Sequence, residues 1–204
     1  MSAEEAAPDA APGALRGIEE LVNTFSADTG TESLTDPATL AAWLAGRGLL
    51  PEDGAAAVDD EALRRTRVVR EGLRALLADN NAPRTTGDTD GPAGDAAESD
   101  AAPPGPAATA ELAAIARELP LILDPFADPP ALVPHADGTV DAVLAGLLRD
   151  VAEAVASGAW PRMKACRECA WAYYDNSRNR SRSWCSMAVC GNRAKARAFR
   201  KRSK

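Results

Sequence analysis

Apolar positions recur at helical spacing in several stretches of the chain. From Ala14 to Phe25, the residues Ile18, Leu21, Val22 and Phe25 fall at i, i+3, i+4 and i+7, which predicts a helix with one buried face. Asp36-Pro37 then forms an N-cap followed by proline at the first helical position. The helix it opens buries Leu40, Trp43 and Leu44 and stops near Gly46 to Gly48. Glu61 to Asp79 predicts a longer helix, with Leu63, Val69, Leu73, Leu76 and Leu77 inward and its arginines outward. The most regular pattern is Thr139 to Ser157, where Val140, Val143, Leu144, Leu147, Leu148, Val151 and Val155 repeat without a break. Gly158 ends that helix and Pro161 prevents its resumption.

Between these helices the pattern changes. Asp79 to Ala110 contains no Val, Ile, Leu, Met, Phe, Trp or Tyr, so it lacks the apolar surface needed to offset its ordering entropy. The expectation is a disordered acidic insertion over residues 79–110. A short helix follows at Glu111, carrying Leu112, Ile115 and Leu119. Leu121 to Leu123 and Ala131 to Val133 are two brief apolar runs that could pair as a hairpin. Residues 1–14, rich in acids, prolines and alanines, are expected to be a disordered leader and not a signal peptide. The fold class is therefore mainly α: a helical N-terminal domain over residues 15–159 with one small β-hairpin, then a separate module over 160–204.

Charge separates that last module from the rest. The chain's formal charge of -7 conceals thirteen Lys and Arg against only Glu168 and Asp175 from Trp160 to Lys204, a net of +11. The other 159 residues carry ten bases and twenty-eight acids, a net of -18. Such a split points to a nucleic-acid partner for the basic part, which the overall pI of about 4.8 would hide. No run of apolar residues is long enough to cross a membrane. Without an export signal the expected location is cytoplasmic, where cysteines seldom form disulfides.

The four cysteines lie in this basic module. Cys166 and Cys169 are spaced C-x2-C, Cys185 and Cys190 are spaced C-x4-C, and fifteen residues separate the pairs. Two such pairs in a reducing compartment supply the four thiolate corners of a structural Zn²⁺ site. A closed set of four thiolates leaves no open position for catalysis. Arg167 and Glu168 would form a knuckle between the first pair, and a helix over Ala188 to Lys201 would start at the second. Trp171 to Tyr174 and Arg182 to Cys185 are expected to pair as strands around a polar turn, Asp175 to Ser181. Knuckle, hairpin and helix in that order resemble a treble-clef finger. His135 lies far upstream without a metal-ligating companion and is expected to be an ordinary surface residue.

Candidate nucleic-acid contacts are Arg178, Arg180 and Arg182 in the expected hairpin, and Arg193, Lys195, Arg197 and Arg200 after the last cysteine. On a helix, Arg193, Arg197 and Arg200 share one face and could follow a phosphate backbone. Trp171, Tyr173, Tyr174 and Trp184 offer a competing role, stacking on RNA bases, although packing within a small module accounts for them first. A basic face gripping an acidic protein is a further alternative. An enzyme is not expected: there is no phosphate-cradling glycine loop, no nucleophile with a His partner and no His-containing metal set.

The residues Cys166-Arg-Glu-Cys169, Tyr174 to Asn179, and Arg182-Ser-Trp-Cys-Ser-Met-Ala-Val-Cys-Gly-Asn-Arg-Ala-Lys195 resemble the CGNR zinc finger, whose tetrapeptide is Cys190 to Arg193 here. In that family the finger follows an ABATE domain. Leu21-Val22-Asn23-Thr24 and the Leu40 to Leu49 segment are similar to that domain. The resemblance implies a bacterial, cytoplasmic protein with a role in stress-induced transcription, and it makes the four cysteines zinc ligands. The combined expectation is a zinc-dependent nucleic-acid-binding regulator, with duplex DNA as partner. Its N-terminal domain would sense an effector, bind a protein or form a homo-oligomer.

Overall fold

The computed structural model describes residues 10–51, 58–82, 105–135 and 138–202, with side chains placed through residue 200. Helix α1 (Leu15–Val22) is followed by a minimal hairpin, β1 (Phe25–Ser26) with β2 (Thr31–Glu32), and then α2 (Pro37–Ala45). Asp36 caps α2 as its sequence predicts: its carboxylate accepts from the Thr39 N–H at 2.9 Å, and the Thr39 hydroxyl oxygen accepts from the Asp36 N–H in return. Phe25 leaves the predicted first helix and enters β1 instead.

Helix α3 (Asp60–Asp79) runs through the centre, and α4 (Pro106–Ala116) lies close against it. A Cβ on Gly72 would sit 2.4 Å from Leu112 Cβ, so only glycine permits that approach. The antiparallel pair β3 (Leu121–Asp124) and β4 (Ala131–Pro134) forms the expected hairpin, with Leu123 opposite Leu132. Helix α5 (Val140–Ala156) starts on a Thr139 cap and ends before Gly158, whose φ of +73° suits glycine. Val155, assigned inward by its spacing, is 57% exposed, and its neighbour Ala154 is the residue of that turn buried in the core.

Ile18, Leu21, Val22, Leu40, Leu44, Val69, Leu73, Leu77 and Leu144 fill the core shared by α1, α2, α3 and α5. Three expectations change here. Residues 10–14 do not belong to a disordered leader: Ala11 is buried and its N–H donates to a Glu19 carboxylate oxygen at 2.7 Å. The remaining leader, residues 1–9, lies outside the described residues. Likewise Asp79 ends α3, residues 80–82 form the turn after it, and residues 105–110 cap and open α4, although all were placed in the insertion; residues 83–104 lie outside the described set. Proline at the first position of α4 explains why that helix starts before its first apolar residue.

The third change concerns the arginines of α3. Arg70 and Arg74 point inward and are buried. Arg70 forms a forked pair with Glu32, both bonds 2.7 Å, and Arg74 donates to the carbonyls of Val22, Phe25 and Ala170. Those carbonyls lie at the end of α1, in β1 and in the turn after Cys169, and one long planar donor gathers all three.

A 3₁₀ turn (Trp160–Arg162) leads into the antiparallel pair β5 (Met163–Ala165) and β6 (Ala172–Tyr174), with Lys164 opposite Tyr173. A π-helical turn (Met187–Gly191) then runs into α6 (Asn192–Arg202). Trp160, Met163, Ala165 and Ala172 belong to the same hydrophobic core as α1 and α3, so the basic module sits on the helices through its own strands.

Candidate metal centre

The strand partner of Ala172–Tyr174 is Met163–Ala165 and not the Arg182 to Cys185 run expected from sequence. The cause is a buried ion pair. Lys164 Nζ donates to an Asp175 carboxylate oxygen at 2.7 Å and to the carbonyls of Arg180 and Arg182. Asp175 also accepts from the N–H groups of Ser177 and Arg182. Residues 175–182 therefore wrap around the Lys164–Asp175 pair, and Arg182 to Cys185 passes alongside without a ladder. Burial alone would raise the Asp175 carboxyl, but the bonds from Lys164 and Ser177 outweigh it and hold the group below the usual carboxylate range.

This hairpin aims the first two cysteines. β5 ends directly at Cys166, and the chain reverses through Arg167 and Glu168. Ala170 donates its N–H to the Cys166 carbonyl at 2.9 Å and takes a left-handed φ of 57° to close the knuckle. Cys166 in turn donates its N–H to the Trp171 carbonyl. The second pair comes from the other side: Cys185 precedes the π-helical turn, and Cys190 lies within it, at the head of α6. Ser186 caps that turn through Val189 N–H. At Gly191 a Cβ would lie 3.2 Å from the Trp184 ring and displace the Met187 sulfur, which accounts for glycine after Cys190.

The four sulfurs converge within 4.8 Å of one another. Cys169 to Cys185 is 3.5 Å, and Cys190 lies 3.6 Å from each of them. Four thiolates about 2.3 Å from one Zn²⁺ stand roughly 3.8 Å apart, so the arrangement fits tetrahedral coordination. Electrostatics leads to the same fit. Its bonds to Cys169 and Cys185 bring the Cys166 thiol down to about 2, with the backbone N–H groups of Cys185 and Glu168 helping. The bond to Cys166 pushes Cys169 up to about 12, and the same neighbours push Cys185 up as well. Burial, followed by the charge on Cys166, raises Cys190. Thiols this close oppose one another's ionisation, whereas a divalent cation at their centre stabilises all four thiolates. Cys166, Cys169 and Cys190 are buried and Cys185 is partly exposed, giving a closed donor set of the structural kind.

The finger's two acids are both spent inside it. Glu168 is buried in the knuckle and pairs with Arg197 of α6, which fastens the helix to the first cysteine pair. Asp175 is the partner of Lys164. Two isolated acids in a +11 segment are the sequence signal that marks them as structural. Of the seven predicted nucleic-acid contacts, three have other work. Arg182 lies over the Tyr173 ring, 5.1 Å from its centroid, and donates to the Trp184 and Cys185 carbonyls. Arg197 holds Glu168, and Arg193 pairs with Asp28 of the β1–β2 turn at 2.8 Å. Arg178, Arg180, Lys195 and Arg200 are exposed, with no ion pair among the described residues. The structure therefore splits the Arg193, Arg197, Arg200 face: two of its members bind protein carboxylates.

Sequence comparison gives the same division of the chain as its chemistry. Residues 162–203 match the model for the CGNR zinc finger, and residues 18–159 match the ABATE family, described as "Putative stress-induced transcription regulator". None of the curated proteins compared with the chain matches it. With the larger match spanning α1 to α5 and the smaller one enclosing the four converging sulfurs, the chain belongs to the ABATE family and carries a CGNR zinc finger behind that domain.

Proposed function

We propose that this protein is a zinc-dependent transcription regulator that binds duplex DNA through its finger and uses its helical domain to sense an effector or a partner. The observation that carries the reading is the fate of charge in the finger. Both acids are consumed internally, while Arg178, Arg180, Lys195 and Arg200 face solvent on a segment of net +11. Zn²⁺ held by Cys166, Cys169, Cys185 and Cys190 contributes structure, joining a treble-clef-like knuckle to the head of α6. No catalytic step is assigned to it, and the protein works by binding, in the bacterial cytoplasm. Homo-oligomerisation through the helical domain would double the contact with a palindromic site.

Selection of bound sequences from random duplexes, with full-length zinc-loaded protein, tests the reading. Enrichment of a shared motif is expected, with a log–log salt slope of about -3.6 to -4.5 from roughly four or five phosphate contacts. Failure of the zinc-loaded protein to bind any duplex, or binding confined to structured RNA, would overturn it.

A further inference from the structure

The structure divides α6 into two faces, and the outer one does not match the row that basic spacing alone suggests. Ala194 is buried, and Arg197 and Ala198 are half-buried, so this side of the helix lies against the finger. The opposite side carries Asn192, Lys195, Ala196 and Phe199 at i, i+3, i+4 and i+7, all exposed. Phe199 is 64% exposed on a helix of six basic residues and no acid. Desolvating a phenylalanine is favourable only against another apolar or aromatic surface, and a phosphate offers none.

Resting on the DNA-binding reading above, we propose that Asn192, Lys195, Ala196 and Phe199 form the base-reading row of α6, lying in the major groove of duplex DNA. Arg193 and Arg197 are positioning residues that hold the helix to Asp28 and Glu168. Three features select this occupant. The basic, acid-free helix complements a polyanion. A groove about 12 Å wide accepts an α-helix, whereas the A-form major groove of duplex RNA is too narrow. Ala196, at the middle of the row, lets the backbone approach the bases. Within the groove Phe199 meets a thymine methyl, and Lys195 donates to the guanine O6 and N7 edge. The Asn192 amide, which donates to the Ala188 carbonyl at 3.0 Å at an exposed position, is placed to read an adenine. Arg200, beside the row, takes a phosphate.

The test compares full-length, zinc-loaded wild type with Phe199→Ala, Phe199→Leu and Arg200→Gln on the selected duplex and on a scrambled one, across a salt series. Retention of the cobalt-thiolate absorption after metal exchange confirms an intact finger in each variant. Phe199→Ala should lower the preference for the selected duplex about tenfold, in the range of losing one base contact, and leave scrambled-duplex binding and salt slope unchanged. Phe199→Leu should keep most of the preference. Arg200→Gln should weaken both duplexes alike and reduce the salt slope by about 0.9. An unchanged preference in Phe199→Ala, or wild type that binds both duplexes equally, overturns the inference while leaving DNA binding intact. Wild type that binds neither duplex overturns the functional reading and the inference with it.

Discussion

The helical domain and the finger differ in what fills their interiors. In the first, leucine, isoleucine and valine from five helices meet in one continuous core. Beyond Cys166, the second has Tyr173, part of Trp184 and four sulfurs, with no aliphatic cluster of its own. Yet the boundary between the two materials does not coincide with the boundary between the two sequence families. Met163, Ala165 and Ala172, inside the CGNR match, pack into the helical core. The strands that aim Cys166 and Cys169 are thus packed by hydrophobic burial, whereas Cys185 and Cys190 lie in the part of the chain that has no share in that core. On the zinc reading proposed above, the first ligand pair would be presented by the domain and the metal would recruit the second.

Breaking the metal half is the harshest test of that contrast. Structural zinc in small fingers contributes roughly 10–16 kcal/mol of apparent binding free energy. Cys185→Ser should therefore release residues 175–202, with their amides exchanging freely, while α1, α3 and the β5–β6 strands stay protected. Hydrogen exchange reads this directly, and loss of protection across β5 and β6 as well would show that metal, not the core, builds the hairpin.

The aliphatic half has its own charged element, and pH sharpens its role. Burial tends to raise the Glu32 carboxyl, but bonds from Arg70 and the Leu34 N–H reverse this and lower it below its ordinary value. A lowered folded pKa means the stabilisation is complete above about pH 5 and disappears as pH falls through the folded value. Glu32→Gln should cost about 1–3 kcal/mol at pH 7. The difference from wild type should shrink below about pH 4 in urea melts run on both proteins. A gap that stays constant with pH would assign the loss to packing instead.

The mildest change falls at the exposed seam between the two regions. Arg193 and Asp28 are 48% and 39% exposed, so Asp28→Asn should change stability very little. Thermal melts at low and high salt measure it, and a larger, salt-independent loss would mean that this contact holds the finger in place.

Much of the helical domain was legible because its signals are local. The Asp36-Pro37 cap, the α5 stripe and the β3–β4 runs depend on neighbours within one element, and each formed where its pattern put it. The four cysteines were equally legible, since ligand spacing is a local property too. What escaped was long-range. Arginine in a helix normally implies solvent, and nothing near Arg74 reveals that three carbonyls distant in sequence await it. The partner of Ala172–Tyr174 was misread because the Lys164–Asp175 pair that organises the loop joins residues eleven apart through a buried contact. The ion pairs of Arg193 and Arg197 were equally hidden, because their carboxylate partners lie 165 and 29 residues away.

The contacts that dock the finger share one property. Asn23 exchanges two hydrogen bonds with the Ala172 backbone, Asn80 donates to the Trp160 and Met163 carbonyls, and Asn81 donates to those of Ala165 and Ser183. Each is an amide side chain of the helical domain addressing main chain of the finger. Main-chain atoms are common to all residues, so these three asparagine contacts, unlike the Arg193–Asp28 pair and the burial of Met163, do not depend on which side chains the finger carries. Drift in the solvent-facing residues of the loop and of α6 leaves these asparagine contacts unaltered. A lineage could thus diversify what its fingers recognise while inheriting one unchanged way of mounting them.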